Sequence, residues 1–366
     1  MPDQFRVQDE TTGKLEADVT TAQRPGEMIC TSYEPGPRRR ATSPQSAIRL
    51  TPFDNAPLQV AVPQQWEHCT EPLAVPHISD SAGQRGMDVR EKTEPVMSTV
   101  RLPLQESSIR LEVGSASDPG IKRKDDPNED SILSIQGTRI HHARSHPFGL
   151  FIVADGMGGH ANGQEASRLV IKALSDAVIP AMLNNAEDEK IFVALLAEEI
   201  NHAALALYQH NRQQQSFMGT TMTAALVVGS TAHIANVGDS RTYLYRQGEL
   251  SQLTRDHSVV ARLVEEKVIT RDDIYTHPRR NEIYRCLGAH ASVQVDSFTL
   301  SLQPGDSLLL CSDGLWEMVR DPEIRHILEY AAHQPSLASA LLIQAALDAG
   351  GQDNVSVILV HVPTSI

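Results

Sequence analysis

Three apolar runs in this chain end in the same way, on an aspartate beside a glycine. FIVADG ends at Asp155, IANVGD at Asp239 and LLLCSDG at Asp313. Each run is short, continuous and without helical spacing, which predicts a buried strand. One such ending is typical of an ordinary turn. The repetition is more restrictive, because carboxylates that converge at the ends of packed strands repel each other unless cations lie between them.

Two more acidic segments follow the same pattern. GGQDN places Asp353 directly before the run NVSVILVHV, and PNED places Glu129 and Asp130 before DSILSIQ. Carboxylate, carbonyl and water oxygens are the ligands that Mg²⁺ and Mn²⁺ prefer. Zinc is disfavoured, because the four cysteines form no CxxC pair and HHARSH (141–146) reads as an exposed loop. The net charge of −14 suits a cation site and argues against general nucleic-acid binding.

The order of predicted elements indicates an α+β fold. Strands come first, then two long amphipathic segments at 163–183 and 189–211, then many short strands, a helical pair, and a last helix and strand. In the first long helix, Leu169, Leu174 and Val178 fall on one face. This order predicts sheets that pack together with helices outside, and not the alternation of a doubly wound sheet.

Residues 1–105 differ from the rest of the chain. They hold 12 of the 21 prolines, are rich in Ser, Thr, Gln and Glu, and show no sustained periodicity. We therefore predict a mostly disordered tail. Within it, RRRATS (38–43) is either a solvated charge run or a kinase site at Thr42 or Ser43. No signal peptide or apolar run of about 20 residues is evident, which predicts a cytoplasmic chain away from membranes.

A nucleotide-binding loop is the first alternative to metal chemistry. Gly156, Gly158 and Ala161 match G-x-G-x-x-A between a strand and a helix. The acid expected about 20 residues later should end a second strand, but Asp176 lies inside a helical segment. Asp155 would also repel a pyrophosphate. A P-loop is excluded, because no Gly-Lys-Ser/Thr follows.

The motifs NED, ADGMGGH, MGTT, NVGDSR, LTRDHS, RCLG, CSDGL and GGQDN occur in this order. The ordered set resembles the protein phosphatase 2C family of metal-dependent serine/threonine protein phosphatases, in its bacterial form, over about residues 107–362. The resemblance implies an α-β-β-α sandwich of two antiparallel sheets flanked by helices. We accordingly expect a tail at 1–105 and a catalytic domain at 106–362.

The resemblance also implies a reaction and its residues. Hydroxide shared by two Mn²⁺ or Mg²⁺ ions would attack the phosphorus of phosphoserine or phosphothreonine in line, without a phosphoenzyme. His160 would protonate the leaving oxygen, although a helix-capping role is the alternative. The implied metal residues are Asp155, which bridges both ions, the Gly156 carbonyl, Asp313, Asp353, Glu129, Asp130, and Asp239 for a third, weaker ion.

The phosphate-binding arginine departs from the family pattern. Its usual position, five residues before the Asp of NED, is Asp125 here. Arg123 fits if two residues are inserted after it, with Lys122 and Lys124 as rivals. Arginine is the better bidentate phosphate ligand, so Arg123 is our choice.

The resemblance further implies that a flap at about 259–285 contacts substrate. We expect a monomer whose partners are phosphorylated proteins, including a serine/threonine kinase and its targets. A non-catalytic phosphoprotein-binding module of the same fold is the alternative, and the retained acids argue against it.

Overall fold

Two antiparallel sheets lie at the centre of the computed structural model, which describes residues 30–31, 111–141, 144–159, 161–184 and 189–364. The first sheet has the order β11-β7-β6-β4-β3, and a short β5 pairs with the end of β4. Its strands are β3 (Asp130–His141), β4 (Arg144–Met157), β5 (Gly219–Thr220), β6 (Met222–Val228), β7 (Thr231–Val237) and β11 (Asp296–Ser301).

The second sheet contains β2 (Glu112–Asp118), β8 (Arg241–Arg246), β9 (Glu249–Gln252), β12 (Ser307–Cys311) and β13 (Val355–His361). Its order is β2-β13-β12-β8-β9, with every neighbouring pair antiparallel. Gln247 and Gly248 join β8 to β9, and both have positive φ, 53° and 84°, as a two-residue hairpin turn requires.

The apolar run of β4 is buried on both faces because helices cover the first sheet. Phe151 and Val153 point into the core between the sheets. Their neighbours Leu150 and Ile152 join the core beneath the helices. Alternation of side chains along a strand therefore requires apolar residues at every position here.

The outer layers are helical. Helices α1 (Ala161–Asn184) and α2 (Glu189–Gln214) cover the first sheet, and α5 (Asp321–Ala331) and α6 (Pro335–Asp348) cover the second. Short elements complete the fold: α3 (Val259–Glu265), a 3₁₀ helix (Asp272–Thr276), β10 (Glu282–Ile283) and α4 (Asp313–Trp316). The predicted α-β-β-α sandwich is confirmed.

Three details differ from the sequence predictions. Leu169 is 39% exposed, because the buried face of α1 runs instead through Val170, Leu174 and Val178. Helix α5 was not predicted. The stretch Ile191–Gln214 is long and apolar enough to cross a membrane by length and composition, although its apolar side packs on α1 and β7.

The N-terminal segment has one described element. Strand β1 (Cys30–Thr31) pairs antiparallel with β10, with Cys30 opposite Ile283. The predictions of a disordered tail and of phosphorylation near Thr42 otherwise lie outside the described residues.

Candidate active site

The acids at the strand ends meet at one end of the sandwich. Asp130 begins β3 and Asp155 lies near the end of β4, and the two are cross-strand partners in the sheet register. In the other sheet, Asp313 follows β12 and Asp353 precedes β13, which pair with each other. The topology thus brings together carboxylates that lie far apart in the sequence.

These carboxylates are largely withdrawn from solvent. Glu129, Asp130, Asp239 and Asp313 are each less than a tenth exposed. Burial disfavours the ionised form of an acid, and neighbouring negative charges disfavour it further. Several buried acids at one place can therefore be ionised together only if positive charge lies close to them.

The acids nearest the centre show this effect in their pKa values. Burial, and then the charge of Asp130, raises the pKa of Asp155 well above its usual range, although a hydrogen bond with Asp313 opposes the rise. Burial and the charge of Asp155 likewise raise the pKa of Asp313. Asp130 is buried too, which raises its pKa to about 6 despite hydrogen bonds that stabilise the carboxylate.

Polar residues of the other motifs hold the acids in place. The Ser312 hydroxyl donates to Asp130 Oδ2 at 2.7 Å. The amide of Glu129 donates to Asn354 Oδ1 at 2.8 Å. The hydroxyl of Thr220, from MGTT, donates to the carbonyl oxygen of Asp155 at 2.8 Å. Small polar residues of CSDGL, GGQDN and MGTT therefore hold the acids and the backbone that carries them in position.

Gly156 is required by close backbone packing. A Cβ at this position would lie 2.0 Å from the carbonyl oxygen of Gly163 and 2.7 Å from that of Glu129. The end of β4 consequently contacts the first turns of α1 directly, and no larger residue fits without moving backbone.

Comparison with known proteins shows the family of this chain. The sequence profile described as protein phosphatase 2C matches residues 120–347. The chain belongs to the protein phosphatase 2C family. The predicted enzyme class, a phosphoprotein phosphatase, is confirmed, and the matched region contains every acid described above except Asp353.

Individual relatives agree with the family assignment. The serine/threonine phosphatase stp of Listeria monocytogenes is 40% identical over 233 residues, which is 61% of this chain and 92% of the relative. Serine/threonine protein phosphatase PstP of Mycobacterium tuberculosis is 38% identical over 259 residues, 70% of this chain but only 46% of that longer protein.

Solved structures share the fold. The crystal structure of Mycobacterium tuberculosis PstP/Ppp has a TM-score of 0.60 at 35% identity and covers 69% of this chain and 99% of that one. The catalytic domain of PstP, solved with two manganese ions, has a TM-score of 0.58 at 34% identity and covers 69% and 99% of the two chains.

The candidate phosphate-binding residue Arg123 lies beside the acids of this phosphatase 2C domain. Its Nη2 is 2.9 Å from Glu129 Oε2, and its Nη1 donates to Asp353 Oδ1. Burial lowers its pKa, but the charges and hydrogen bonds of Asp353 and Glu129 outweigh burial and raise it above the usual value. Lys122 and Lys124 are exposed, and in the described part of the chain neither forms an ion pair.

Glu317 is a site residue that the sequence reasoning missed. It follows α4 one helical turn after Asp313, and burial raises its pKa to about 7. Its charge contributes to the raised pKa values of both Asp239 and Asp313. Arg280 of the flap approaches it, with Nε 3.8 Å from Glu317 Oε2. The available signal was an acid four residues after Asp313, on the same helical face.

The backbone around Asp239 is held by hydrogen bonds to His257 and Trp316. Gly238 has a φ of +103°, which favours glycine. Its amide donates to Nδ1 of the buried His257 at 2.9 Å. Trp316 Nε1 donates to the carbonyl oxygen of Asp239 at 3.0 Å. Because Nδ1 accepts from the Gly238 amide, the neutral ring is expected to carry its proton on Nε2, which lies 3.1 Å from Asp296 Oδ2 and 2.8 Å from Arg285 Nη1.

The donor set suits divalent cations. Asp130 Oδ1 and Asp313 Oδ1 are buried without a hydrogen-bond partner, and carboxylate oxygens are the ligands of Mg²⁺ and Mn²⁺. Within the described residues, no three His, Cys, Asp or Glu side chains are placed so that they could hold a metal ion as they stand. Arg123 supplies positive charge to Glu129 and Asp353 in this arrangement. His160 lies outside the described residues.

Proposed function

We propose that this serine/threonine protein phosphatase binds two Mn²⁺ or Mg²⁺ ions at its acid cluster and transfers the phosphoryl group directly to water. The observation that carries the proposal is the convergence of Asp130, Asp155 and Asp313, whose pKa values are all raised. Buried oxygens without partners on Asp130 and Asp313 provide ligand positions. The two manganese ions in the related PstP catalytic domain support the same reading.

Each acid has a proposed role. Asp155, Asp313 and Asp353, with the Gly156 carbonyl, would hold the two ions. Glu129 and Asp130 would position water around them. Asp239, Asp313 and Glu317 would hold a third, weaker ion, because their charges act on one another. When bound, divalent cations act as Lewis acids, which acidify water and neutralise charge on a phosphate.

Arg123 would bind the phosphate oxygens of the substrate. Its planar guanidinium can donate two parallel hydrogen bonds to an oxyanion. Its contacts with Glu129 and Asp353 support this role, because both acids belong to the proposed metal site. Once cations neutralise those acids, the same donors become available to substrate. His160 is the proposed proton donor to the leaving oxygen.

The test compares two neutralised variants with a matched control. Asp155→Ala and Asp313→Ala should abolish Mn²⁺-dependent hydrolysis of a phosphothreonine peptide and of p-nitrophenyl phosphate. Asp176→Ala removes an acid on α1 whose side chain is 64% exposed, and it should keep full activity. Circular dichroism checks that all three variants are folded. Wild-type turnover in excess chelator would refute the metal mechanism, and phosphopeptide binding without hydrolysis would favour the non-catalytic alternative.

The tail prediction has its own test. Removing residues 1–100 should leave hydrolysis of a small phosphoester nearly unchanged, because the acids of the proposed metal site all lie beyond residue 128. A large loss of activity would show that the N-terminal segment, including the strand at Cys30–Thr31, supports the catalytic domain. The kinase partner, the cytoplasmic location and the monomeric state remain predictions.

A further inference from the structure

A second pocket, apart from the acid cluster, lies between the flap, strands β8 and β9, and the start of α5. Its volume is about 470 Å³. Arg241 lines it and stacks on the indole of Trp316, with the guanidinium carbon 3.7 Å from the ring centroid. Trp316 in turn donates to the backbone of Asp239. The pocket therefore adjoins the catalytic site but is built from other residues.

Most acids that line this pocket are already engaged. Asp256 is buried and accepts three charge-assisted hydrogen bonds from Arg241, at 2.7, 3.0 and 3.2 Å. Glu265 forms an ion pair with Arg255. Asp321 accepts a hydrogen bond from a tyrosine hydroxyl at 3.2 Å. Arginines therefore neutralise Asp256 and Glu265, whereas Asp321 keeps its negative charge.

Two lining arginines are not engaged in this way. Among the described residues, neither Arg271 nor Arg320 forms an ion pair or a hydrogen bond to a carboxylate. The guanidinium of Arg320 stacks on Tyr275, with its carbon 3.2 Å from the ring centroid. Stacking uses the face of the guanidinium and leaves the N–H donors at its edge available. The exposed Asp272 and the half-buried Asp321 are the lining acids that oppose them.

Two guanidiniums with available donors form a receptor for an oxyanion. Ala261, Val264, Ile274 and Pro322 provide apolar walls for the body of a side chain. The volume exceeds what a bare inorganic ion needs and suits one or two residues of a peptide. Since the pocket is lined by the flap, an occupant would be part of a protein that is also presented to the acid cluster.

We propose that this pocket binds a second phosphorylated side chain of the substrate protein, away from the phosphate that is hydrolysed. The inference rests on the proposed function, and it specifies the substrate class as segments that are phosphorylated at two places. A phosphate dianion is favoured over a carboxylate because it carries a second negative charge and three acceptor oxygens for the guanidinium donors. Arg271 and Arg320 are then specificity residues, which bind substrate without taking part in the chemistry.

Direct binding in chelator tests the pocket separately from catalysis. The probe is a fluorescent peptide that carries a non-hydrolysable phosphonate analogue of phosphothreonine and no scissile phosphate. Matched probes carry glutamate or alanine at the same position. By anisotropy, wild-type protein should bind the phosphonate probe about tenfold more tightly than the alanine probe, the effect of one charge-assisted contact. Arg271→Ala and Arg320→Ala should each remove most of that difference.

The matched control is Arg168→Ala, which removes an exposed arginine on α1, in the other outer layer of the sandwich. Equal weakening by Arg168→Ala would indicate general attraction and refute the pocket. Equal binding of the phosphonate and alanine probes would refute it as well. Glutamate binding as tight as phosphonate binding would assign the pocket to acidic side chains and overturn the phosphate claim.

Kinetics with Mn²⁺ extend the test to substrates. Peptides would carry one scissile phosphothreonine and the phosphonate group about four to ten residues away, a span of about 13 to 33 Å in an extended chain. One spacing should lower KM about tenfold in wild type and not in Arg271→Ala or Arg320→Ala, while kcat and p-nitrophenyl phosphate hydrolysis stay unchanged. Equal KM at every spacing would overturn the proposal. Intact probe binding without any hydrolysis would refute the proposed function instead.

Discussion

Replacing Asp239 by asparagine should stabilise the metal-free protein at neutral pH. In this fold, burial and the charges of Asp256 and Glu317 raise the pKa of Asp239 from 3.8 to about 7. The unfolded chain ionises the same carboxyl near pH 4. Between these values the folded state holds the extra proton, so the free energy of unfolding falls as pH rises. Asparagine removes the ionisation and keeps a side chain of the same shape.

The magnitude follows from the pKa difference. A separation of about three pH units corresponds to about 4 kcal/mol when the carboxyl is fully ionised. About 2 kcal/mol of this accrues between about pH 5.5 and pH 7.5, by the same linkage. In chelator, the wild-type free energy of unfolding should therefore fall by about 2 kcal/mol more over this interval than that of Asp239→Asn.

Urea denaturation at several pH values in chelator measures the effect, and Asp176→Asn serves as the exposed control. Asp176→Asn should give a curve parallel to wild type. Parallel curves for wild type and Asp239→Asn would refute the reasoning, because they would mean that folding does not raise the pKa of Asp239. Calorimetric titration with Mn²⁺ adds a second readout, in which the variant should lose the weakest binding event.

Three further predictions concern residues that position the acids. His257→Leu should leave the buried amide of Gly238 without an acceptor and cost about 1–3 kcal/mol of unfolding free energy, measured in urea, whereas His257→Asn, whose Oδ1 can replace Nδ1, should recover most of it. Asp256→Ala leaves the buried guanidinium of Arg241 without its carboxylate partner and should lower the free energy of unfolding by about 3–5 kcal/mol in the same assay. A smaller loss would mean that water reaches the pair. Gly156→Ala forces a methyl group to 2.0 Å from a backbone carbonyl, so Mn²⁺-dependent activity should be lost, and an active variant would contradict the packing seen here.

The elements with the clearest local patterns were predicted well. Strand β4 was expected from the apolar run that ends at Asp155, and it spans Arg144–Met157, because an uninterrupted apolar run suits a strand covered on both faces. Local backbone chemistry is sufficient for such predictions.

Other features depended on the partners that each residue meets. Leu169 satisfies a helical apolar stripe, yet the packing of α1 on the first sheet and on α2 leaves it exposed and buries Val170. In the sequence Glu317 looks like an ordinary helical acid, and only the tertiary structure shows that it lies near Asp239 and Asp313. Arg123 could be chosen over its lysine neighbours only on chemical preference, and the structure shows where its donors point.

The sequence by itself determined the type of chemistry. Acids beside glycines at strand ends, without a cysteine or histidine ligand pattern, demand cations, and the ordered motifs identified the phosphatase 2C family. Tertiary structure decided which acids act together, because Asp130 and Asp313 meet only through strand pairing and sheet packing. It also decided their charge state and produced the pocket at Arg271 and Arg320, because burial and distance set electrostatic energies and neither is written in the order of residues.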